Sequence, residues 1–511
     1  MSKSIFCLTL AYAAILYGFT GCGTYPGTTR KYQNTTPVPA GIAAPDRLGT
    51  RFGTLHFFDG FPDPASAEKL YNNLDYQRAV QAYLLAMPAV SQMAWRKGVT
   101  NWGAPNSTVL IFEQLTDPRT LELSANYNNN AVYTMVALDL QKDPLVVEVP
   151  PKVIGAMNDM WMRWVGDVGI AGPDKGEGGK YLLLPPGYQG EVPDGYFVLR
   201  PETSNLSIIW CSPPVEGDPK SIVDQVKKDT KVYRLSEASN PPQPKFVNVS
   251  APYVSTNFNT IAPADYSFWT NLNEVVQSEP TETIDPTTLG VWASVGIQKG
   301  KPFAPDARMK KILTEAAAVG DATARALAYR CRIRDAYFFT NSAWRTFNLG
   351  SYKFEDNGVP ILDVAAGYYF YFLGVTPTMS TKSAGSGSQY AFAFHDARGK
   401  PMDGGKSYRL HLPPGIPAKD AWSVILYDNQ TRSMLQTDQY RPAVNSQAKD
   451  LLLNADGSAD IYFGPEAPPG KETNWIQTIP GKGWSVILRL DGPLKSWFDR
   501  TWRPGEIELV D

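Results

Sequence analysis

Hydrophobic positions along this chain recur at two spacings, and each spacing predicts a different element. From residue 390 onward the period is two: Tyr390, Phe392 and Phe394 alternate with Ala391, Ala393 and His395, and Tyr408, Leu410 and Leu412 alternate with Arg409 and His411. Strands that bury one face produce that period. Further strands are expected over 421–428, 459–464, 484–489 and 506–510, with turns at 396–400, 403–405 and 456–458. Repeated short strands of this kind point to a sandwich or jelly roll. Upstream, strands are expected over 51–58, 109–112, 133–140, 144–150 and 206–210, and Gln141-Lys142-Asp143 reads as a hairpin turn between two of them. Helical spacing occurs over 66–98, carried by Leu70, Leu74, Tyr83, Leu84 and Met87, with Pro88 expected to kink or divide the helix. Residues 302–337 read as two helices, 307–319 and 323–333, with Gly320-Asp321 as stop and N-cap between them. The expected fold class is mainly β (α+β): two β-sandwich or jelly-roll-like domains joined by a helical region.

Composition sharpens that picture. A chain of 511 residues exceeds what one core usually supports. The 42 Gly, 42 Pro, 26 Tyr and 13 Trp, set against 3 His, favour a turn-rich β protein. A net charge of −2 with scattered Lys and Arg carries no nucleic-acid footprint. At the N-terminus, Lys3, an apolar run over 5–17 and Phe19-Thr20-Gly21-Cys22 form a secretory signal of the bacterial lipoprotein kind, with Cys22 as the lipidated residue. Phe19 stands where Leu is usual. The run is too short for a permanent membrane span. The expected layout is signal 1–22, flexible tether 23–45, N-terminal β-rich domain 46–245, helical or mixed region 246–382 and C-terminal β domain 383–511. Simple cleavage with release is the alternative to anchoring. Of the four cysteines, Cys211 and Cys331 remain beyond the signal and Cys22, either paired or as buried free thiols.

Residues 166–199 hold nine glycines around one short apolar run at 181–184. Gly and Pro at that density fix backbone shape, so this loop is expected to form the wall of a site, or else to connect strands. No G-x-S-x-G, P-loop, H-E-x-x-H or C-x-x-C is present, which removes the usual support for a serine esterase, nucleotide hydrolase, zincin or zinc finger. Gly176-Glu177-Gly178-Gly179 leads into a strand, not a helix, so it lacks the helix start a dinucleotide needs. His56, His395 and His411 read as surface residues rather than metal ligands, and Asn454, Asp456, Ser458 and Asp460 as a hairpin rather than a calcium loop. No metal or cofactor is expected. A polar, aromatic-rich constellation remains. Asp159, Asp167 and Asp174 are the candidate catalytic acids. Trp161, Arg163, Trp164, Lys180, Tyr427, Asp428, Arg441, Asn474 and Trp475 are candidate substrate contacts in an interdomain cleft. Carboxylates beside Trp and Tyr suit glycans and other polyols, because rings stack on C–H faces while acids and amides take hydroxyls.

Two long stretches carry a resemblance. YRLHLPPG, WSVILYDN, LLLNADGSADIYFGP, ETNWIQTIPGKGWSVILRLDGP and WRPGEIEL resemble the module known as domain of unknown function 1214. VYTMVALDLQKDPLVVEVPP, MNDMW and GPDKGEGGKYLLLPPGYQGEVPDGYFVLR resemble its usual N-terminal partner, domain of unknown function 1254. The resemblance implies a two-domain, β-rich bacterial protein and no agreed activity. Asn474-Trp475-Ile476-Gln477 stands where such modules usually run Asn-Trp-Leu-Pro. Three classes of function stay open: an envelope hydrolase or lyase acting on a polar, glycan-like or other small substrate; a non-catalytic lipoprotein that binds a small molecule or glycan; and a structural homo-oligomer. Paired carboxylates in one cleft would favour the first, and a cleft without them the second.

Overall fold

The computed structural model describes residues 33–39, 41–116, 118–123, 131–141, 143–215, 217–250 and 258–510. The signal at 1–22, Cys22 and the tether residues 23–32 and 40 lie outside the described residues. The chain divides into two compact units, 1–71 and 72–511. In the first, β1 (Arg47–Thr50), β2 (Gly53–Phe58) and β3 (Phe61–Pro62) pair antiparallel in sequence order. Asp63 then caps the start of α1 (Pro64–Thr100), its Oδ1 accepting the Ser66 backbone N–H at 2.6 Å. α1 continues as one 37-residue helix through Pro88, neither ended nor divided there.

In the second unit the strands follow as β4 (Thr108–Ile111), β5 (Tyr133–Asp139), β6 (Leu145–Val149), β7 (Ile154–Asp159), β8 (Trp164–Gly169), β9 (Gly179–Leu183), β10 (Phe197–Leu199) and β11 (Asn205–Cys211). After α2 (Lys220–Asp229) come β12 (Lys231–Arg234) and β13 (Lys245–Asn248). They form a six-stranded sheet ordered β13-β4-β5-β11-β7-β8 and a four-stranded sheet ordered β10-β9-β6-β12. The helical layer is α1 with α3 (Ser267–Ser278), α4 (Pro286–Ser294), α5 (Ala307–Tyr329), the small hairpin β14 (Glu355–Asp356) and β15 (Val359–Pro360), α6 (Leu362–Tyr371) and α7 (Pro377–Ser380). The C-terminal strands are β16 (Ser388–Ala393), β17 (Met402–Asp403), β18 (Ser407–Leu412), β19 (Ala418–Asp428), β20 (Ala443–Asn445), β21 (Ala459–Gly464), β22 (Trp475–Gln477) and β23 (Gly483–Pro493), then α8 (Lys495–Phe498) and β24 (Ile507–Val510). One sheet runs β16-β23-β19-β20 with β17 on β23, the other β22-β21-β18-β24. The fold is α+β and mainly β, as expected. Among the described residues no helix is long and apolar enough to cross a membrane.

Each larger sheet is buried on both faces. In the C-terminal one, Ala391, Ala393, Val424, Leu426, Val486 and Leu488 meet Leu410, Leu412, Ile461 and Phe463 of the facing sheet. The opposite face, with Tyr390, Phe392, Phe394, Ile425 and Tyr427, packs on α1, α3, α5 and α6. In the N-terminal one, Val136, Leu138 and Ile208 meet Leu145, Val147 and Tyr181 across the sandwich, while Leu110, Tyr133 and Met135 meet Trp95 and Val99 of α1. β18, in an outer sheet, keeps the simple alternation: Tyr408, Leu410 and Leu412 are buried, Arg409 is exposed and His411 half-buried.

Three expectations are corrected. β5 and β6 do not form a hairpin with each other: β5 pairs β4 and β11 while β6 pairs β9 and β12, so the two strands belong to facing sheets. Gly320-Asp321 does not separate two helices, since α5 runs through both. Gly320 is where α5 lies against Tyr83 of α1, and an added Cβ would overlap the Tyr83 ring. Finally, Asn454, Asp456 and Ser458 form a side-chain-bonded turn before β21 rather than a link between two strands: Asp456 Oδ1 accepts from the Ser458 backbone at 2.9 Å and from its hydroxyl at 2.7 Å.

Alanine is a better helix former than glycine by about 1 kcal/mol, yet Gly320→Ala is expected to destabilise the protein by about 1–3 kcal/mol. The Tyr83 ring, stacked on Phe268 with centroids 3.8 Å apart, has nowhere to move. A lower urea midpoint at unchanged slope checks this, and with Tyr83→Ala in the same chain the penalty should vanish, leaving Ala at 320 the more stable residue by about 1 kcal/mol.

Candidate functional site

A cavity of about 170 Å³ opens where the β7–β8 side of the N-terminal sheet faces the start of the C-terminal one. Met157 faces the sandwich interior, so its neighbours Ile154, Ala156 and Asn158, at period two, fall on the opposite face of β7 and line the cavity. Ile209 and Cys211 of β11, Leu373 and Val375 after α6, and Tyr390 of β16 complete a largely apolar wall.

The polar end is built by strand register. β16 and β23 pair antiparallel with Tyr390 opposite Arg489 and Ser388 opposite Asp491. Arg489 donates from Nε to Asp491 Oδ1 at 2.8 Å and from Nη2 to Ser388 Oγ at 3.2 Å, with its guanidinium 5.5 Å from the Tyr390 ring centroid. Ser388 Oγ in turn donates to Asp491 at 2.6 Å. Burial opposes the Arg489 charge, but Asp491, then Tyr390 and Tyr133, hold its pKa well above the ordinary value. Burial pushes the Cys211 thiol up to about 11 despite the pull of Arg489 and a hydrogen bond with Tyr133. Both Cys211 and Cys331 are free thiols.

At the other end Asp167 accepts Thr376 Oγ1 at 2.5 Å, Thr378 Oγ1 at 3.1 Å and Trp164 Nε1 at 3.1 Å. Asn158 Nδ2 donates to the Val375 carbonyl at 2.8 Å. These bonds tie the segment after α6 to the β7–β8 hairpin. Beyond Val375, which lines both spaces, lies a second hollow of about 490 Å³ containing Asp159, Arg163, Trp164, Tyr352 and Tyr369. Asp159 there is almost wholly buried and fully engaged. Its Oδ1 accepts the backbone N–H groups of Trp161 and Arg163, and Oδ2 accepts Arg163 Nε at 2.8 Å. Burial raises the Asp159 pKa against the pull of Arg163.

Residues 106–234 match the family described as protein of unknown function (DUF1254), and 387–495 match protein of unknown function (DUF1214). The chain carries both modules, in that order. The cavity is built between them: β7, β8 and β11 belong to the DUF1254 match, β16 and Arg489 to the DUF1214 match, and residues 373–379 to the stretch between. The VPA0106 protein from Vibrio parahaemolyticus has a similar structure, with TM-score 0.53 and 20% identity over 86% of this chain and 100% of that one. An uncharacterized protein from Burkholderia cenocepacia aligns with TM-score 0.39 and 11% identity over 86% of this chain and 96% of that one. The first similarity shows a shared fold. No curated protein matches the chain.

The two modules distribute the candidate residues unevenly. Asp159, Arg163, Trp164 and Asp167 come together on the β7–β8 hairpin, around the two spaces. Trp161 instead stacks on Trp292 in the helical core, centroids 5.9 Å apart. Asp174 is buried under the loop after β8, accepting the Tyr181 hydroxyl and, at 3.2 Å, the Gly178 N–H. Lys180 is exposed, 3.7 Å from Glu148. That loop is shaped by packing: Gly169 takes φ +71°, and a Cβ there would overlap the Val153 carbonyl. Of residues 170–178 only Ala171 reaches the cavity.

The DUF1214 candidates stay apart from both spaces. Tyr427 is wholly buried against the helical layer, and Asp428 is paired with Lys482. Arg441 lies 5.8 Å from the Tyr440 ring. Asn474 Nδ2 donates to the backbone carbonyls of Leu452 and Asp460 at 2.8 and 2.9 Å, and Trp475 Nε1 to the Gly464 carbonyl at 2.9 Å. Gln477, where Pro is usual, donates its backbone N–H to Gln439 Oε1 at 2.8 Å, a bond proline has no proton to make. Among the described residues no cluster of His, Cys, Asp and Glu is placed to hold a metal ion. Sequence reasoning missed Arg489, Asp491, Tyr390, Ser388, Tyr133 and Cys211. One signal existed: Arg489 is a lone cation in the otherwise apolar run WSVILRL.

Arg489→Ala should cost about 1–3 kcal/mol, because it leaves the half-buried Asp491 carboxylate without its cation. Denaturant unfolding checks this, and adding Asp491→Asn should recover part of the loss. Folding raises the Cys211 pKa from its ordinary 9.0 to about 11, so the native state holds this proton more tightly than the unfolded chain. Its contribution to stability is complete below pH 9.0 and is lost as pH rises through about 11. Alkylation of Cys211 in a Cys331→Ser background should accordingly be slow at neutral pH and accelerate toward pH 11.

Proposed function

We propose that this protein is an envelope-anchored binding protein whose cavity takes a small neutral molecule with an apolar body and one hydrogen-bonding head, a carbonyl or hydroxyl. The observation that carries this reading is the cavity's composition: apolar walls from Ile154, Ala156, Ile209, Leu373 and Val375, ending on Arg489 with Tyr390 and Ser388 beside it. Asp491 already balances the Arg489 charge, which favours a dipolar head over an anion. The volume of 170 Å³ corresponds to roughly ten water-sized positions, enough for a compact molecule with about as many heavy atoms. Acid–base hydrolysis draws on two opposed carboxylates. Among the described residues Asp167 is the single carboxylate lining the cavity, and its oxygens already receive three donors. That favours binding over turnover. The envelope address is supported by the residues that end in Cys22.

Thermal shift against small neutral ketones, alcohols and amides tests the cavity directly. A ligand present at about 100 times its dissociation constant stabilises the native state by about 2.7 kcal/mol. A bound probe should also slow alkylation of Cys211, and Ala156→Phe, which fills the space, should abolish both effects while leaving the far-UV circular dichroism unchanged. Stabilisation that survives Ala156→Phe would place the ligand elsewhere. For the address, Cys22→Ser should move the protein from the membrane fraction to the soluble one.

A further inference from the structure

We infer that the hollow around Trp164 and Tyr352 is a separate binding site for a neutral saccharide. It has about 490 Å³, within the range of about 300–1,000 Å³ typical of ligand sites. Trp164 is 37% exposed and lines this hollow. Its ring meets that of Tyr352 edge-on, with centroids 5.8 Å apart and planes at 71°. The two rings therefore form a corner rather than a flat stack. A corner of this kind offers one π face to the C–H face of a sugar ring and a second ring as a side wall.

Around that corner the hydrogen-bonding groups are dense and balanced. Arg163, Arg200 and Lys353 face Asp159, Glu202 and Glu355, three cations against three anions. Arg163 is held in place from three sides, by Asp159 Oδ2, by Glu202 Oε2 at 2.6 Å and by Thr283 Oγ1 at 3.0 Å, so its position is set before a ligand arrives. With no excess charge of either sign, the site has no electrostatic preference for an anion or a cation. With Asp159, Arg163 and Glu202 engaged with one another, what it offers a ligand is Arg200, Lys353 and Glu355 beside the two rings, donors and an acceptor of the kind that vicinal hydroxyls satisfy. This site does not depend on the cavity reading: it shares Val375 with the cavity, but the rings and charges named here do not line that cavity.

Calorimetric titration of the whole protein with maltotriose, cellotriose and chitotriose tests the inference. At least one should bind, and its affinity should change by no more than about twofold between roughly 0.05 and 0.5 M NaCl, because no net charge is engaged. Tyr352→Ala, which removes one wall, should weaken that binding by about tenfold or more, and Trp164→Ala at least as much. Ala156→Phe should leave it unchanged, separating this site from the cavity. The inference is overturned if none of the three binds, if binding collapses with salt, or if Tyr352→Ala and Trp164→Ala bind like the parent.

Discussion

The rest of the structure depends on one constraint: the larger sheet of each sandwich is buried on both faces, by its partner sheet on one side and by the shared helical layer on the other. An antiparallel sheet ordinarily keeps one face for water. Here β16 presents Ala391 and Ala393 to the sandwich and Tyr390, Phe392 and Phe394 to the helices. Small residues allow the two sheets to approach, and rings span the wider gap to the helices. The helical layer in turn is gripped from both sides. Its own helices approach closely, as at Gly320 of α5 against Tyr83 of α1.

Polar groups caught in such a seam must be paired, because buried charge without a partner costs several kcal/mol. The seam shows this repeatedly. Arg345 lies with its guanidinium 4.1 Å from the Phe347 ring centroid and 5.1 Å from that of Phe394, and Arg432 lies 4.1 Å from that of Phe370. Arg489 is matched by Asp491, and Asp159 by Arg163. Asp159 with Arg163 and Arg489 with Asp491 thus let the layered sheets and helices tolerate charge. The cavity and the Trp164 hollow both lie along the β7–β8 hairpin, beside the segment that links α6 to the C-terminal module.

This arrangement explains why neither module by itself supplies the site. β7, β8 and β11 provide one wall, β16 and β23 the other, and residues 373–379 the third. Thr376 and Thr378 bond Asp167 across that junction, so the segment between the two modules is tied to the first of them through the wall of the cavity itself.

The alternation of 408–412, the apolar runs of β4 and β9 and the spacing in α1 and α5 determined the fold class, because local periodicity reports which face of an element meets a core. The two long module resemblances were legible for the same reason: they are runs of contiguous residues. Strand partners were not legible. β5 and β6 are adjacent in sequence yet belong to facing sheets, and a short turn does not reveal whether it closes a ladder or crosses between layers. Nor did the sequence separate Asp167, on a cavity wall, from Asp174, buried beneath a loop against Tyr181, since both stand among glycines. The Arg489 site depends on register, with residues 388–390 opposite 489–491 and close to Tyr133 and Cys211 of another sheet. Only the tertiary structure decided it, because contacts between residues hundreds of positions apart follow from how layers stack, and no local pattern records that stacking.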